Sequence, residues 1–465
     1  MTDTNTGAPK NFNDLSPQEK GELLFLKATQ LHKENKFEDA LKFYGNAVAY
    51  WPEQPDAYNN MAVALRKLGK FEAALVCYNR SLGFRPDHGG TYSNMGNVLN
   101  DLDRIQDAIK AHDKAIELEP DNLLYLYNKA LVLRDAGKCK QALTLFDKIL
   151  KIDPNYKDCR WDRALTYLVN GDFKNGFAEY DARWSLAKSP PRTFKQPRWE
   201  GDALSQRRLF IHREQGFGDA IQFVRLIPSI KKRYGGHIIL ECQPELMRLF
   251  SNVDGIDQLI PFGSSLPEFD TWIPMMSLGH VLKVDENNIP GEVPYLAPPP
   301  NNRFHVRPAP EDGLNIAFAW AGSKTHQNDR RRSVEIERFL PLLNHKNVTL
   351  FSLQKGDRQN DILTSGAKSI VVDASADIKD FADSAGLLSQ MDLVITIDTS
   401  LAHLAGALGK PVWLMLPYTP DWRWMLKRDD SPWYPSMHIF RQSKPGDWDG
   451  AFKKLYDALD AQLAL

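Results

Sequence analysis

Small, bulky and proline positions recur along the first third of the chain in steps of 34 residues, as the series Pro52, Pro86, Pro120 and Pro154 shows. Other positions keep the same register. Ala40, Ala74, Ala108 and Ala142 recur, as do Ala62, Gly96, Ala130 and Ala164, and so do the large residues Tyr44, Tyr78, Phe146 and Tyr180, with His112 in the third copy. A small residue where two helices cross, a bulky one to fill the gap and a proline after the second helix are what a stacked helix pair requires. The pattern predicts an α solenoid of four complete helix pairs starting at Gly21 and a partial fifth, in which Gly176 replaces the alanine.

Beyond residue 188 the period breaks. The stretch SPPRTFKQPRWEGD carries three prolines and reads as a linker, and apolar runs then alternate with helical patterns. Strands are predicted over 208–212, 237–242, 258–261 and 271–275, with helices over 220–234 and 244–253. After a second proline-rich linker the same grammar restarts. Strands are predicted over 315–320, 348–354, 369–373, 393–397, 412–416 and 437–441, with helices over 335–343, 378–391 and 448–463. Strands alternating with helices imply parallel sheets covered on both faces. The expected organisation is a flexible N-terminus (1–20), repeats (21–187), a linker (188–206), a first α/β half (207–296), a linker (297–313) and a second α/β half (314–465).

Composition adds mainly exclusions. The 465 residues carry a formal net charge of -1, so neither nucleic acid nor an acidic membrane surface is an expected partner. The polar N-terminus has no apolar core of signal-peptide length, no later run approaches a membrane span, and a cytoplasmic protein is expected. Cys77, Cys139, Cys159 and Cys242 show no metal-ligand spacing, and no metal site is expected.

The candidate chemistry centres on DTSLAHLAGALGKP at 398–411, which reads as a strand end, a tight turn and a short helix. Asp398, Thr399 and Ser400 stand at the helix start, where unpaired amides and the macrodipole favour an anion, with His403 one turn further in; alternatively the three only cap the helix and His403 is a satisfied core histidine. Arg330, Arg331 and Arg332 are adjacent guanidinium groups that either a phosphate draws together or a solvated loop carries, and Lys324 is a further basic candidate. Asp219, in the turn EQGFGD, is a candidate general base or a helix cap, and Glu214 a second cleft carboxylate or a strand-end residue. Gln354 ends a strand and either touches a nucleotide base or braces the sheet. Trp422, Trp424, Trp433 and Tyr434 read as core between domains more readily than as sugar-stacking groups. In the repeats, Asn60, Asn94 and Asn128 share one position, with Asp162 in the fifth copy. Such a column can pair with the backbone of an extended peptide, form a solvated face or brace neighbouring repeats.

These residues carry a resemblance. The repeats resemble tetratricopeptide repeats. The stretch from 207 to 442 resembles the heptosyltransferase-like (family 9 type) GT-B domains through GFGDAIQFVR, WAGSKTHQNDRRRS, FSLQ, DTSLAHLAGALGKP and DWRWMLKRDDSPWYP. The resemblance implies a GT-B fold of two Rossmann-like halves facing a cleft, with Asp219 as catalytic carboxylate and Asp398, Thr399 and His403 on the donor's phosphates and sugar. The fusion is similar to bacterial protein O-glycosyltransferases, flagellin glycosyltransferases in particular. It thus implies transfer from a nucleotide sugar, as co-substrate and without a further cofactor, to Ser or Thr of a protein such as flagellin held on the repeats. Two alternatives stand beside it: a non-catalytic adaptor or chaperone with a relic GT-B domain, and a transferase acting on lipopolysaccharide or another glycan.

Overall fold

A computed structural model describes residues 11–186, 191–325 and 328–464. Residues 1–10 of the expected flexible N-terminus and the first positions of the 188–206 linker lie outside this set. The chain forms two compact units, Met1–Cys159 and Arg160–Leu465.

The first unit is a helical solenoid of four antiparallel pairs: α1 (Pro17–Lys33) with α2 (Phe37–Tyr50), α3 (Pro55–Lys67) with α4 (Phe71–Phe84), α5 (Gly89–Asp101) with α6 (Ile105–Leu118), and α7 (Leu123–Asp135) with α8 (Cys139–Ile152). The periodic alanines and the bulky Tyr44, Tyr78 and Phe146 are buried between the helices. Where the bulky position is His112 its small neighbour is Gly96, and a Cβ there would lie 2.6 Å from the imidazole Nε2. The first helix starts earlier than the repeat register implies. Ser16 caps it, its Oγ accepting from the Glu19 N–H while Glu19 accepts from the Ser16 N–H at 2.7 Å. Residues 17–20, expected to be flexible, are therefore its first turn.

The second unit opens with α9 (Lys157–Val169), which runs in across the boundary, then α10 (Phe173–Glu179) and a tight turn over Tyr180–Ser185. Two parallel sheets follow. β1 (Ser205–His212), β2 (Gly235–Cys242), β3 (Gln258–Pro261) and β4 (Thr271–Pro274) are ordered β3-β2-β1-β4. The other sheet contains β5 (Leu314–Ala319), β6 (Val348–Ser352), β7 (Val372–Asp373), β8 (Leu393–Ile397), β9 (Val412–Leu416) and β10 (Met437–Arg441), ordered β10-β9-β8-β5-β6-β7. Both orders reverse once, between β1 and β4 and between β5 and β8, and each reversal opens a crevice at the strands' carboxyl ends. Helical repeats followed by two parallel α/β halves are the fold class expected, consistent with a GT-B-like arrangement.

Several helices are shorter than their patterns. The helix predicted over 335–343 is two tight turns, Ile336–Arg338 and Leu340–Asn344, because Pro341 cannot donate to a preceding turn. The helix expected over 220–234 divides into α11 (Phe217–Phe223) and α12 (Ile227–Tyr234), with Pro228 just inside the second.

Candidate functional site

Both crevices open on one cavity of about 860 Å³, large enough for a nucleotide-sized ligand. On one side β8 ends at Ile397, and Asp398 and Thr399 lead into the helix Ser400–Ala407. Thr399 occupies the N-cap position in an extended conformation but makes no capping bond, and its Oγ1 is buried without a partner among the described residues. On the other side β1 ends at His212, and the turn through Gln215 and Gly216 starts α11, whose first turn carries Asp219.

Asp219, Asp398, Thr399, Ser400, His403, Arg332 and Gln354 all line this cavity. Lys324 and Arg330 are exposed and do not. Arg332 is the basic residue of that group set into the floor, its Nη1 donating to the Asp398 carbonyl at 2.8 Å. Gly322 gives it room, because a Cβ there would overlap the guanidinium.

Two residues with little weight in the sequence pattern, Asp421 and Arg423, complete the floor. Arg423, buried over the Trp422 ring, donates from Nη2 to Asp219, from Nη1 to Asp421 at 2.7 Å and from Nε to Gln222 at 2.7 Å. Asp219 also accepts from the Gly216 N–H at 2.7 Å, so it caps its own helix while facing the cavity. Burial raises the Asp219 carboxyl above its usual range, with Arg423 opposing. Burial, and next the like charge of Asp421, push Asp398 up to about 6. Burial works the same way on Asp421, but Arg423 holds that carboxyl below its ordinary value. His403 is buried, stacks on Trp424 at 5.0 Å between ring centroids, and bonds through Nδ1 to the Tyr434 hydroxyl at 2.8 Å. Burial, helped by Arg423, lowers its pKa to about 3. His403 is thus a neutral imidazole, able to offer a hydrogen bond to a ligand but not a positive charge. The tryptophans dominate the DWRW motif in the sequence; its charged members Asp421 and Arg423 are the ones that reach the cavity.

Some expectations are corrected. Gln354 lines the cavity, but its Oε1 accepts from the N–H groups of Trp320 and Ala321 at 3.0 and 2.9 Å and its Nε2 donates to the Ala321 and Lys355 carbonyls. It braces the sheet end, and the amide is not available to read a base. Glu214 is no cleft acid: it is buried and held by Arg183 and the Met276 N–H. The aromatic cluster, by contrast, is core as the sequence favours: Trp424, Trp433 and Tyr434 have no exposed surface and Trp422 almost none.

The asparagine column also serves an internal purpose. Asn94 Nδ2 donates to Asn59 Oδ1 at 3.4 Å and Asn128 Nδ2 to Ser93 Oγ at 3.0 Å, each reaching the preceding repeat. Asn60 Oδ1 accepts from Asn59. The ladder continues with Arg66 on Asp101 and Asn100 on Asp135. Asp162 belongs to the other unit. Among the described residues, no group of three or more His, Cys, Asp or Glu has a metal-holding geometry, and no helix is long and apolar enough to cross a membrane.

Residues 55–88 match a tetratricopeptide repeat family, and 94–157 and 127–184 match a second. Residues 337–445, which include the Ser400 helix and the Arg423 segment, match glycosyltransferase family 9 (heptosyltransferase). The chain joins tetratricopeptide repeats to a glycosyltransferase family 9 domain. Protein FlbA of Caulobacter vibrioides is 27% identical over 326 residues, 64% of this chain and 54% of FlbA, so the chain spans about half the length of that relative. Solved structures similar to the repeats include YrrB, a tetratricopeptide repeat protein described as having an unusual peptide-binding site, at 19% identity and a TM-score of 0.32 over 39% of this chain and 95% of YrrB. PilF of Pseudomonas aeruginosa is similar at 19% identity and a TM-score of 0.34, over 38% of this chain and 79% of PilF.

Proposed function

We propose that this protein transfers a glycosyl group from a nucleotide sugar to a Ser or Thr hydroxyl of a protein captured by the repeats, with flagellin as the acceptor to test first. One observation carries the reading: Asp219 and the Thr399–Ser400 helix start line the same cavity from opposite α/β halves. Donor phosphate would lie at the helix start, where the first-turn amides, the unpartnered Thr399 Oγ1 and Arg332 stabilise the charge that develops as the sugar–oxygen bond breaks. Asp219 would take the acceptor's proton as its oxygen attacks the anomeric carbon from the opposite face, an inverting displacement that leaves a nucleotide and a protonated carboxyl. In this reading the amides and Arg332 supply the leaving group's counter-charge without a metal ion, and the reaction takes place in the cytoplasm.

Calorimetry with UDP, GDP, ADP and CMP tests the donor half, and intact-mass comparison of flagellin from wild-type and deletion strains tests the acceptor half. Binding of one nucleotide and a missing sugar mass in the deletion strain are expected. A silent nucleotide panel with partner binding intact would replace this reading by an adaptor; nucleotide binding with unaltered flagellin would redirect it to another protein or to a glycan acceptor.

A further inference from the structure

The turn that presents Asp219 is not self-supporting. Gln215 has φ +52, a left-handed conformation that a non-glycine residue keeps only when its surroundings enforce it. The enforcement comes from outside the turn. Glu214, the residue before it, takes a bidentate pair of bonds from Arg183 Nε and Nη2, each at 3.0 Å, with both side chains only 4% exposed. Arg183 is itself fixed by the Tyr180 carbonyl at 2.9 Å, Asp181 at 2.7 Å and Ser277 at 2.9 Å, and it lies over the Tyr180 and Trp184 rings. The Tyr180 hydroxyl accepts from Gln215 Nε2 at 3.4 Å.

The same segment also reaches the other partner of Asp219. Phe173, Phe177 and Tyr180 pack edge-on against Trp422, with centroids 6.2, 5.7 and 6.1 Å away, and Trp422 carries the Arg423 guanidinium on its face. Residues 173–183 therefore hold both the turn below Asp219 and the arginine paired with it. They precede both sheets and lie outside the family 9 match.

We infer that Arg183 is a positioning residue for Asp219: through Glu214 it fixes the turn, so that the end of the partial fifth repeat is a working part of the site. The inference rests on the proposed function only for the role of base given to Asp219; the geometry it asserts is independent of that role. Supporting contacts of this kind keep a reactive group within a fraction of an ångström of its working position, and their loss is felt at that group before the rest of the fold.

Carboxyl labelling of the full chain with a carbodiimide and an amine, read by peptide mass spectrometry, tests it. Asp257 is the internal reference, since it is held by Lys231 and the Ile238 N–H in the same half, away from the turn. In Arg183→Met the Asp219-to-Asp257 labelling ratio should rise at least about threefold, the scale of a modest loss of coupling. Glu214→Gln, which keeps the shape and removes the charge, should raise the same ratio and decides the question if Arg183→Met does not fold. An unchanged ratio in a folded variant, or equal rises at both aspartates, would reduce Arg183 to a general stabiliser and overturn the inference. The labelling needs neither donor nor acceptor, so a silent nucleotide panel would count against the glycosyltransferase reading and leave this result standing.

Discussion

Arg423 and Asp219 form an ion pair across the cleft, tying the first turn of α11 to the segment that follows β9. Because Arg423 also carries Asp421, its loss strands two partly buried carboxylates. Arg423→Met should lower the unfolding free energy by about 3–5 kcal/mol, the usual cost of breaking a buried pair from one side. Urea unfolding of the two proteins at neutral pH measures this; a change below about 1 kcal/mol would mean the carboxylates find other partners.

Asp219→Asn keeps the shape of the site and can still accept from Gly216, but an amide cannot take up the acceptor's proton. Transfer should fall by about 10²–10⁴-fold. Nucleotide affinity should stay within about threefold, because the donor side of the cleft is built on other residues. Equal losses in both assays would show that Asp219 acts in binding.

The basic candidates separate by position. Arg332→Ala should weaken nucleotide binding about tenfold or more, since it removes a guanidinium set beside the helix start. Lys324→Ala and Arg330→Ala, both outside the cavity, should change it by less than about twofold. Calorimetry on the three variants decides, and the reverse ranking would move the phosphate site outward.

His403 gives a pH signature. Its pKa falls from 6.5 unfolded to about 3 folded, so the folded state is penalised progressively as pH drops from the first value towards the second. About 2 kcal/mol of that penalty is present by about pH 5. His403→Gln removes the titration and should therefore lose about 2 kcal/mol less stability than the wild type between about pH 7.5 and 5. Parallel losses would indicate that the imidazole takes up its proton equally readily in the folded and unfolded chain.

Asn94→Ala and Asn128→Ala test the two duties of the column. Each deletes a bond to the preceding repeat and should cost about 0.5–1.5 kcal/mol in thermal unfolding. Weaker partner binding at temperatures where the variants stay folded would add a role in capture; unchanged binding would leave bracing alone.

Much of this architecture was legible because two periodicities dominate the chain. The 34-residue register fixes which residues pack between repeat helices, and the strand–helix alternation fixes two parallel sheets. The strand ends that bear Asp219 and Asp398 follow from that alternation, which is why residues far apart in sequence could be assigned to one cleft. What escaped depends on partners rather than pattern. Nothing local distinguishes Gln354 as a backbone brace, because its partners Trp320 and Ala321 come from a neighbouring strand end. Arg423 sits between two tryptophans that read as core, and only the tertiary fold shows its charge turned towards Asp219. Arg183 lies in a stretch whose repeat register hides its partner 31 residues later.

The close approach of Gly218 to His403 bears on how the cleft can move. A Cβ on Gly218 would lie 2.7 Å from the imidazole Cδ2, and nearby Arg225 Nη1 donates to the Trp433 carbonyl at 2.6 Å and the Tyr295 hydroxyl to the Ile221 carbonyl at 3.0 Å. The two lobes are thus bolted together at the floor. A hinge that swung them apart would have to break these contacts, whereas exchange through the mouth of the cleft, lined by residues 355–357 and 379–381, leaves them intact.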